Sequence, residues 1–439
     1  MRDDRDAVGA GLDSCKTYKM IEEFAIAHPK KPRGSLELLR DRKFGTYWVG
    51  SLLSNMGTWM QQMAEPWLIL NLSGSPVLLG IDAFVMDAPT LVLTLFGGWL
   101  ADNGDRRKII FFFQALQMLC PIILIVLVLT GLVSVWMIIA LSLVVGITDA
   151  LSMPAFQSVV PGLVEKNEIG HALALNSTQF NLSRIAGPAI AGWIMLNYGA
   201  VGCFGANTLS YIPMLACVYL VIPRKKISLP QGTPRPLGFV NQLKDTLKNR
   251  KRREAIFAVF ATSLFCGPLI AFCPVLIREV FHGDVGQFGT ALTVFGIGGL
   301  IGAILFTVFD LARYRMRLGS WLAILYGFVI ICISFNRSPF FLELLLILSG
   351  VLMTTFNTGI NSLLQFHAPE HMRGQISSLY MLSLRGGMSI GNLIAGPVVT
   401  QIGISRFLLI NGCLVIAYHV WRKSAWNDKP TQAMGLTQQ

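Results

Sequence analysis

The chain has 439 residues, 53% of them hydrophobic and only 14% charged, with a mean hydropathy of +0.57 and a formal net charge of +12. A soluble domain carries about 25% charged residues, so this composition excludes a soluble enzyme or nucleic-acid-binding domain and places the chain in a lipid bilayer. The positive charge needs no nucleic acid, because basic loops facing an anionic leaflet account for it.

In chain order, residues 1–43 are polar, begin MRDDRD and lack the short apolar core of a cleaved leader. They read as a largely unstructured cytoplasmic tail in front of a permanent first anchor. Apolar windows of about 20 residues then predict twelve spans, at 46–70, 77–101, 109–130, 135–157, 172–196, 200–222, 255–277, 287–309, 318–335, 339–361, 376–401 and 406–421. The fold class is therefore an all-α integral membrane protein, with one six-helix bundle over 44–222 and another over 255–421. Between them, 223–254 is a polar linker. Its Phe239, Val240, Leu243 and Leu247 recur at helical spacing opposite Lys244, Lys248 and Arg250, which predicts an amphipathic helix on the membrane surface. Residues 422–439 form a C-terminal tail. With both termini inside, 31 of the 36 Lys and Arg residues fall in inner segments, the bias expected of cytoplasmic loops.

Eight cysteines show no CxxC spacing, and the seven in or beside spans read as small buried residues. His367 and His371 are separated by Pro369, which breaks the helix a metal pair would need, so no metal is expected. No phosphate-binding loop GxxxxGK[ST] occurs, and no nucleophile constellation suggests catalysis.

The informative residues are the charges and small residues that the spans contain. GGWLADNGDRRK at 97–108 packs Asp102, Arg106, Arg107 and Lys108 into a very short loop between two apolar runs, and Asp149 lies in the inner half of span 4. Asp102, Arg106 and Asp149 are placed to form a chain of ion pairs. An ionised side chain at a helix centre costs about 2.5–3.5 kcal/mol on insertion scales, so each one present calls for a partner or a task. Asp87, near the midplane of span 2, is the first proton-site candidate. Asp82 and Glu65 are two more, each equally well read as a carboxylate satisfied by local hydrogen bonds. Five residues separate Asp82 from Asp87, a rotation of about 140°, so the two face different directions. Arg184 in span 5 and Arg385 in span 11 suit either an anionic substrate or an ion pair with Asp87 or Asp149. Gln179, Asn181 and Asn392 lie near them and suit cavity hydrogen bonds or plain helix packing. GPAIAG at 187–192 loses one backbone donor at Pro188, while Gly187 and Gly192 allow close helix approach.

An internal echo joins the halves. An offset of 204 residues lays Gly170, Leu175, Gly187 and IAG at 190–192 on Gly374, Leu379, Gly391 and IAG at 394–396, so span 5 falls on span 11. An offset of 208 lays Asp102 and Arg107 on Asp310 and Arg315, a worn copy of the first loop. Two related halves imply a path between them.

Twelve spans, a six-plus-six division and GxLADxxxRRK between spans 2 and 3 together resemble the major facilitator superfamily. LSGSPVLLG at 72–80, ALNSTQFNLSRIAGPAIAG at 174–192 and PEHMRGQISSLYML at 369–382 are similar to its bacterial branch of enterobactin exporters and macrolide efflux pumps. The chain departs from the pattern at Asn103, where Arg or Lys is usual, and at Phe156 before Gln157, where that branch carries an Arg. The resemblance implies that Asp102, Arg106, Arg107 and Asp149 form a latch holding the N-half against the start of span 11 in the outward-open state. GPAIAG resembles, incompletely, an antiporter motif of span 5, with Ala191 for a glycine. The implied function is secondary transport: export of a small organic molecule, siderophore-like or drug-like, by a proton-driven antiporter of the bacterial inner membrane with both termini cytoplasmic. Uptake or lipid flipping by the same fold is the alternative, and a non-transporting sensor or scaffold the third reading. The protein is expected to act as a monomer among membrane lipids, with a small-molecule substrate, no nucleic acid and no cofactor beyond the proton gradient.

Overall fold

The structure is a computed structural model and describes residues 33–222, 248–309, 315–366, 368 and 373–423. Among these residues there is helix and no strand. The N-half contains α1 (Arg42–Ser73), α2 (Pro76–Asn103), α3 (Arg106–Leu129), α4 (Val135–Gln157), and α5 and α6, the two arms of Ile169–Val221. The C-half contains α7 (Arg250–Cys266), α8 (Val285–Val308), α9 (Arg315–Phe335), α10 (Pro339–Phe366), α11 (Arg373–Ile402) and α12 (Ile404–Lys423). Nine helical stretches among the described residues are long and apolar enough to cross a membrane, and one of them, Lys166–Val221, holds both α5 and α6.

The starts of these helices follow from short polar side chains placed just before apolar runs. Asp41 accepts from the backbone of Lys43 and Phe44 at 2.9 and 3.0 Å, Ser75 precedes Pro76 at the first position of α2, and Asp105 and Asp284 cap α3 and α8. A loop was expected between spans 5 and 6; the chain instead turns on Gly199 alone, at φ 63°, a left-handed conformation that glycine adopts without strain. The expected seventh span is also not one helix. It breaks after Cys266 into short turns at Pro268–Ala271 and Cys273–Glu279, because Pro268 and Pro274 lack the donor a continuous helix requires.

Each pairing in one half has a counterpart in the other. In the N-half, α1 packs on the α5–α6 arms, α2 on α4 and α3 on α6's stretch; in the C-half, α7 packs on α11, α8 on α10 and α9 on α12. The halves meet along α2 with α11 and α5 with α8. The largest apolar core bridges them with Met63, Leu79, Phe204, Phe272, Phe288 and Leu346. Toward the end that carries the termini the core divides, Phe44, Ile110 and Val218 filling one half and Val259, Phe356 and Ile376 the other. The molecule is thus sealed at the end away from the termini.

That seal is made of close backbone approaches and one stacked pair. A side-chain carbon at Gly80 of α2 would lie 2.5 Å from the carbonyl oxygen of Asn392 in α11, and one at Gly289 of α8 would lie 2.9 Å from the α-carbon of Gly192 in α5. Trp67 stacks on Phe288 with ring centres 5.8 Å apart, and Arg278 donates to the Leu70 carbonyl at 2.8 Å.

Candidate functional site

The polar groups inside the bundle fall into three places. The first joins α1, α2 and α4. Glu65 and Asp82 are only 6% and 5% exposed, and the Ser142 hydroxyl lies 2.7 Å from Glu65 Oε1 and 2.6 Å from Asp82 Oδ1. Gln61 donates to the other Glu65 oxygen at 3.2 Å and accepts from Asn207 of α6 at 2.6 Å. A serine has one hydrogen to give, and two ionised carboxylates cannot both receive it. Holding both short contacts requires a further proton on one carboxyl group.

The second place is the α2–α11 interface. Arg385 Nη1 meets Asp87 Oδ1 at 2.5 Å, an ion pair between the halves at mid-depth. One turn beyond, Ser389 donates to the Phe84 carbonyl at 3.3 Å. Asp149 of α4, exposed to the interior opening, lies within electrostatic reach of both Arg385 and Asp87. The rotation expected between Asp82 and Asp87 is seen here: one points into the N-half and the other across to the C-half.

The third place is the α5–α8 interface, where Arg184 reaches out of the N-half. Its guanidinium carbon lies 5.1 Å from the centre of the Phe295 ring. Its terminal nitrogens flank Gly299, where an added side-chain carbon would meet them at 3.4 and 3.5 Å and the Thr354 hydroxyl at 3.0 Å. No carboxylate pairs with Arg184 among the described residues.

The remaining expected residues are placed as follows. Asp102 is exposed and makes no ion pair among the described residues. Arg106 donates instead to the Ala101 carbonyl at 3.3 Å, and Arg107 lies over the Tyr219 ring at 4.5 Å. Gln179 is buried and reaches Ser183 within its own helix, Asn181 donates to the Ser177 carbonyl one turn back, and the Asn392 carboxamide oxygen is buried without a partner among the described residues. Gly187 faces Trp59 of α1, where a side chain would clash at 2.5 Å; Gly192 faces Gly289; Pro188 is buried beside them. Five of the described cysteines are buried, but Cys332 is half-buried and Cys413 exposed on the outer surface of the bundle, because a residue this apolar is equally at home against lipid. The amphipathic linker helix, His367, His371 and Asp310 lie outside the described residues.

The sequence reading missed Ser142, the group that joins the two buried carboxyls. Its trace is the spacing of Ser142, Gly146 and Asp149 at i, i+4 and i+7, a stripe of small and polar residues on one face of α4. It also missed that the tail's last stretch is ordered. Ser35–Arg40 is a short helix with Leu38 fully buried, held by Arg33, which forks onto the 2%-exposed Glu168 at 2.6 and 2.9 Å and reaches Asp41 at 3.0 Å.

The profile of the transmembrane secretion effector family matches residues 33–426. The chain belongs to this family of the major facilitator superfamily. It is 26% identical to the staphyloferrin A transporter of Staphylococcus aureus, over 85% of this chain and 94% of that one, and 22% identical to macrolide efflux protein A of Streptococcus pyogenes, over 85% and 93%. Among solved structures, the nucleoside transporter NupG superposes with a TM-score of 0.72 at 14% identity, covering 88% of this chain and all of that one. That likeness speaks to fold. As a secretion-effector family member the chain is a multi-pass membrane transporter.

Proposed function

We propose that the protein is a proton-coupled antiporter that exports a small organic molecule across a bacterial inner membrane, with both termini cytoplasmic. The observation that carries the coupling is the Glu65–Ser142–Asp82 cluster, two buried carboxyl groups that share one hydroxyl and need an extra proton to stay together. When the proton leaves, like charges face each other in a low-dielectric site, an arrangement that cannot persist. Proton release therefore drives α1, α2 and α4 toward another packing, and α2 also carries Asp87, the N-half partner of Arg385. Export rather than uptake is supported by the family and by the efflux relative. The siderophore and macrolide named for the two relatives bracket the cargo as a medium-sized organic molecule. The sealed end lies away from the termini, so this state is the one open toward the cytoplasm, ready to load.

The test is accumulation of a labelled macrolide and of a fluorescent amphiphile in cells with and without the protein. Cells making the protein are expected to accumulate less, and a protonophore is expected to abolish the difference. Glu65→Gln and Asp82→Asn, at unchanged membrane levels, are expected to reduce export about tenfold or more, the scale of a lost proton-transfer group. Full export in both variants, or a wild type indifferent to the gradient, overturns the coupling.

A further inference from the structure

The internal repeat makes the two interfaces between halves comparable, and they differ in what faces the arginine that crosses each of them. The 208-residue offset that lays Asp102 on Asp310 lays Asp87 on Phe295. In the α2–α11 interface an arginine from one half meets the carboxylate of Asp87 in the other. In the α5–α8 interface Arg184 likewise crosses from one half to the other, and at the position corresponding to Asp87 it finds the face of Phe295. The 204-residue offset lays Arg385 on Asn181, so Arg184 stands three residues further along α5 than its register counterpart; each interface still sends one arginine across, and only α2–α11 meets it with an acid.

A ring face attracts a guanidinium but does not neutralise it, and the attraction is smaller than the cost of an unpaired charge at membrane depth. Among the described residues the other groups around Arg184 are neutral: the Thr354 hydroxyl beside Gly299, and the Tyr326 phenol, which is fully buried and makes a weak contact to the Met353 sulfur at 3.9 Å. Arg184 is half-buried, and its guanidinium makes no hydrogen bond among the described residues. A guanidinium presents paired N–H donors that match a carboxylate, and Phe295 offers a flat apolar surface next to it.

We infer that Arg184 is an anion-binding subsite that takes a carboxylate of the transported molecule, with Phe295 covering the apolar or aromatic body attached to it. The inference rests on the transporter reading for the identity of the ligand as cargo. The carboxylate that the α5–α8 interface lacks is what the cargo supplies, so loading pairs Arg184 as Asp87 already pairs Arg385 at α2–α11.

The test uses the purified full-length protein in detergent and two probes of equal shape, 2-naphthoate and 2-naphthamide, with binding followed by titration calorimetry. The wild type is expected to bind the acid at least tenfold more tightly than the amide. Arg184→Gln is expected to remove that preference and Arg184→Lys to keep part of it. Phe295→Asp, which restores the acid found in the other half, is expected to abolish acid binding while the helical content and thermal midpoint stay near wild type. A wild type without preference for the acid overturns the inference, as does a preference that survives in Arg184→Gln or in Phe295→Asp. If the acid binds as expected but cells do not export it, the subsite stands and the exporter reading fails.

Discussion

Ser142 decides how two carboxyl groups coexist inside α1, α2 and α4. Its hydroxyl also lies 3.1 Å from the Ile138 carbonyl, so three oxygens crowd around it. Removing it in Ser142→Ala leaves Glu65 and Asp82 with no intermediary, and the loss of a buried hydrogen-bond partner costs about 1–3 kcal/mol. The variant is expected to unfold at lower temperature and to export with a shifted pH profile, whereas Ser142→Thr, which keeps the hydroxyl, is expected to retain the wild-type profile. Gradient-driven export by both variants against external pH is the measurement, and identical profiles for Ala and wild type would remove Ser142 from the coupling. The carboxylates were legible in the sequence because charge is costly in a span. Ser142 was not, because serines and threonines in these helices commonly bond their own preceding turn, as Ser73 and Thr94 do. Arg385 was legible as a cation needing a partner, but the choice between Asp87 and Asp149 depends on which helix faces which, a matter of tertiary packing.

At the scale of elements, apolar runs of membrane length gave away nearly every helix, while proline placement within a run was harder to weigh. Pro66, Pro89 and Pro121 sit inside continuous helices, whereas Pro268 and Pro274 divide the seventh span. The difference is spacing: two prolines six residues apart, with Gly267 ahead of them, leave room for one hydrogen-bonded turn, Phe272 N–H to the Pro268 carbonyl at 2.9 Å, before the next missing donor. The short helix Ser35–Arg40 was hidden for another reason, since its anchor is the long-range pairing of Arg33 with Glu168. With the Arg33 side chain 38% exposed, solvent screens this fork, and it contributes about 1 kcal/mol. Arg33→Ala is therefore expected to release the segment before α1 and expose it to protease, without loss of the transmembrane fold. Backbone donation from Phe44, with help from Arg33 and the Lys43 backbone, holds the Asp41 carboxyl below its usual range. A depressed carboxylate gives stability that is present above its unfolded value and lost as pH falls through the folded one. The cap is accordingly expected to hold from neutrality down to about pH 4 and to fail only below the ordinary aspartate value of about 3.9. Proteolysis of the tail across that range measures it, and release already at pH 6 would contradict the assignment.

At the scale of the whole molecule, the halves touch along α2–α11 and α5–α8 from mid-depth to the end away from the termini, and their cores separate toward the other end. Alternating access requires the reverse arrangement to be reachable, so something must favour it when the present seal opens. Asp102 fits that part. It sits at the last turn of α2, exposed and without an ion pair among the described residues, at the end where the halves are apart. When that end closes, the N-terminus of α11 approaches, and a carboxylate there meets the positive end of a helix. Such a contact stabilises only the state in which it forms, so its loss shifts the balance between states and leaves the loading state intact. Asp102→Asn is thus expected to bind 2-naphthoate as the wild type does while turning over about tenfold more slowly, equivalent to ~1.4 kcal/mol. Equilibrium titration and export rate, measured on the same preparation and in cells, separate the two effects. Weakened binding with an unchanged rate would move Asp102 from the latch to the cargo path, where its exposed position at the helix end gives it nothing to hold.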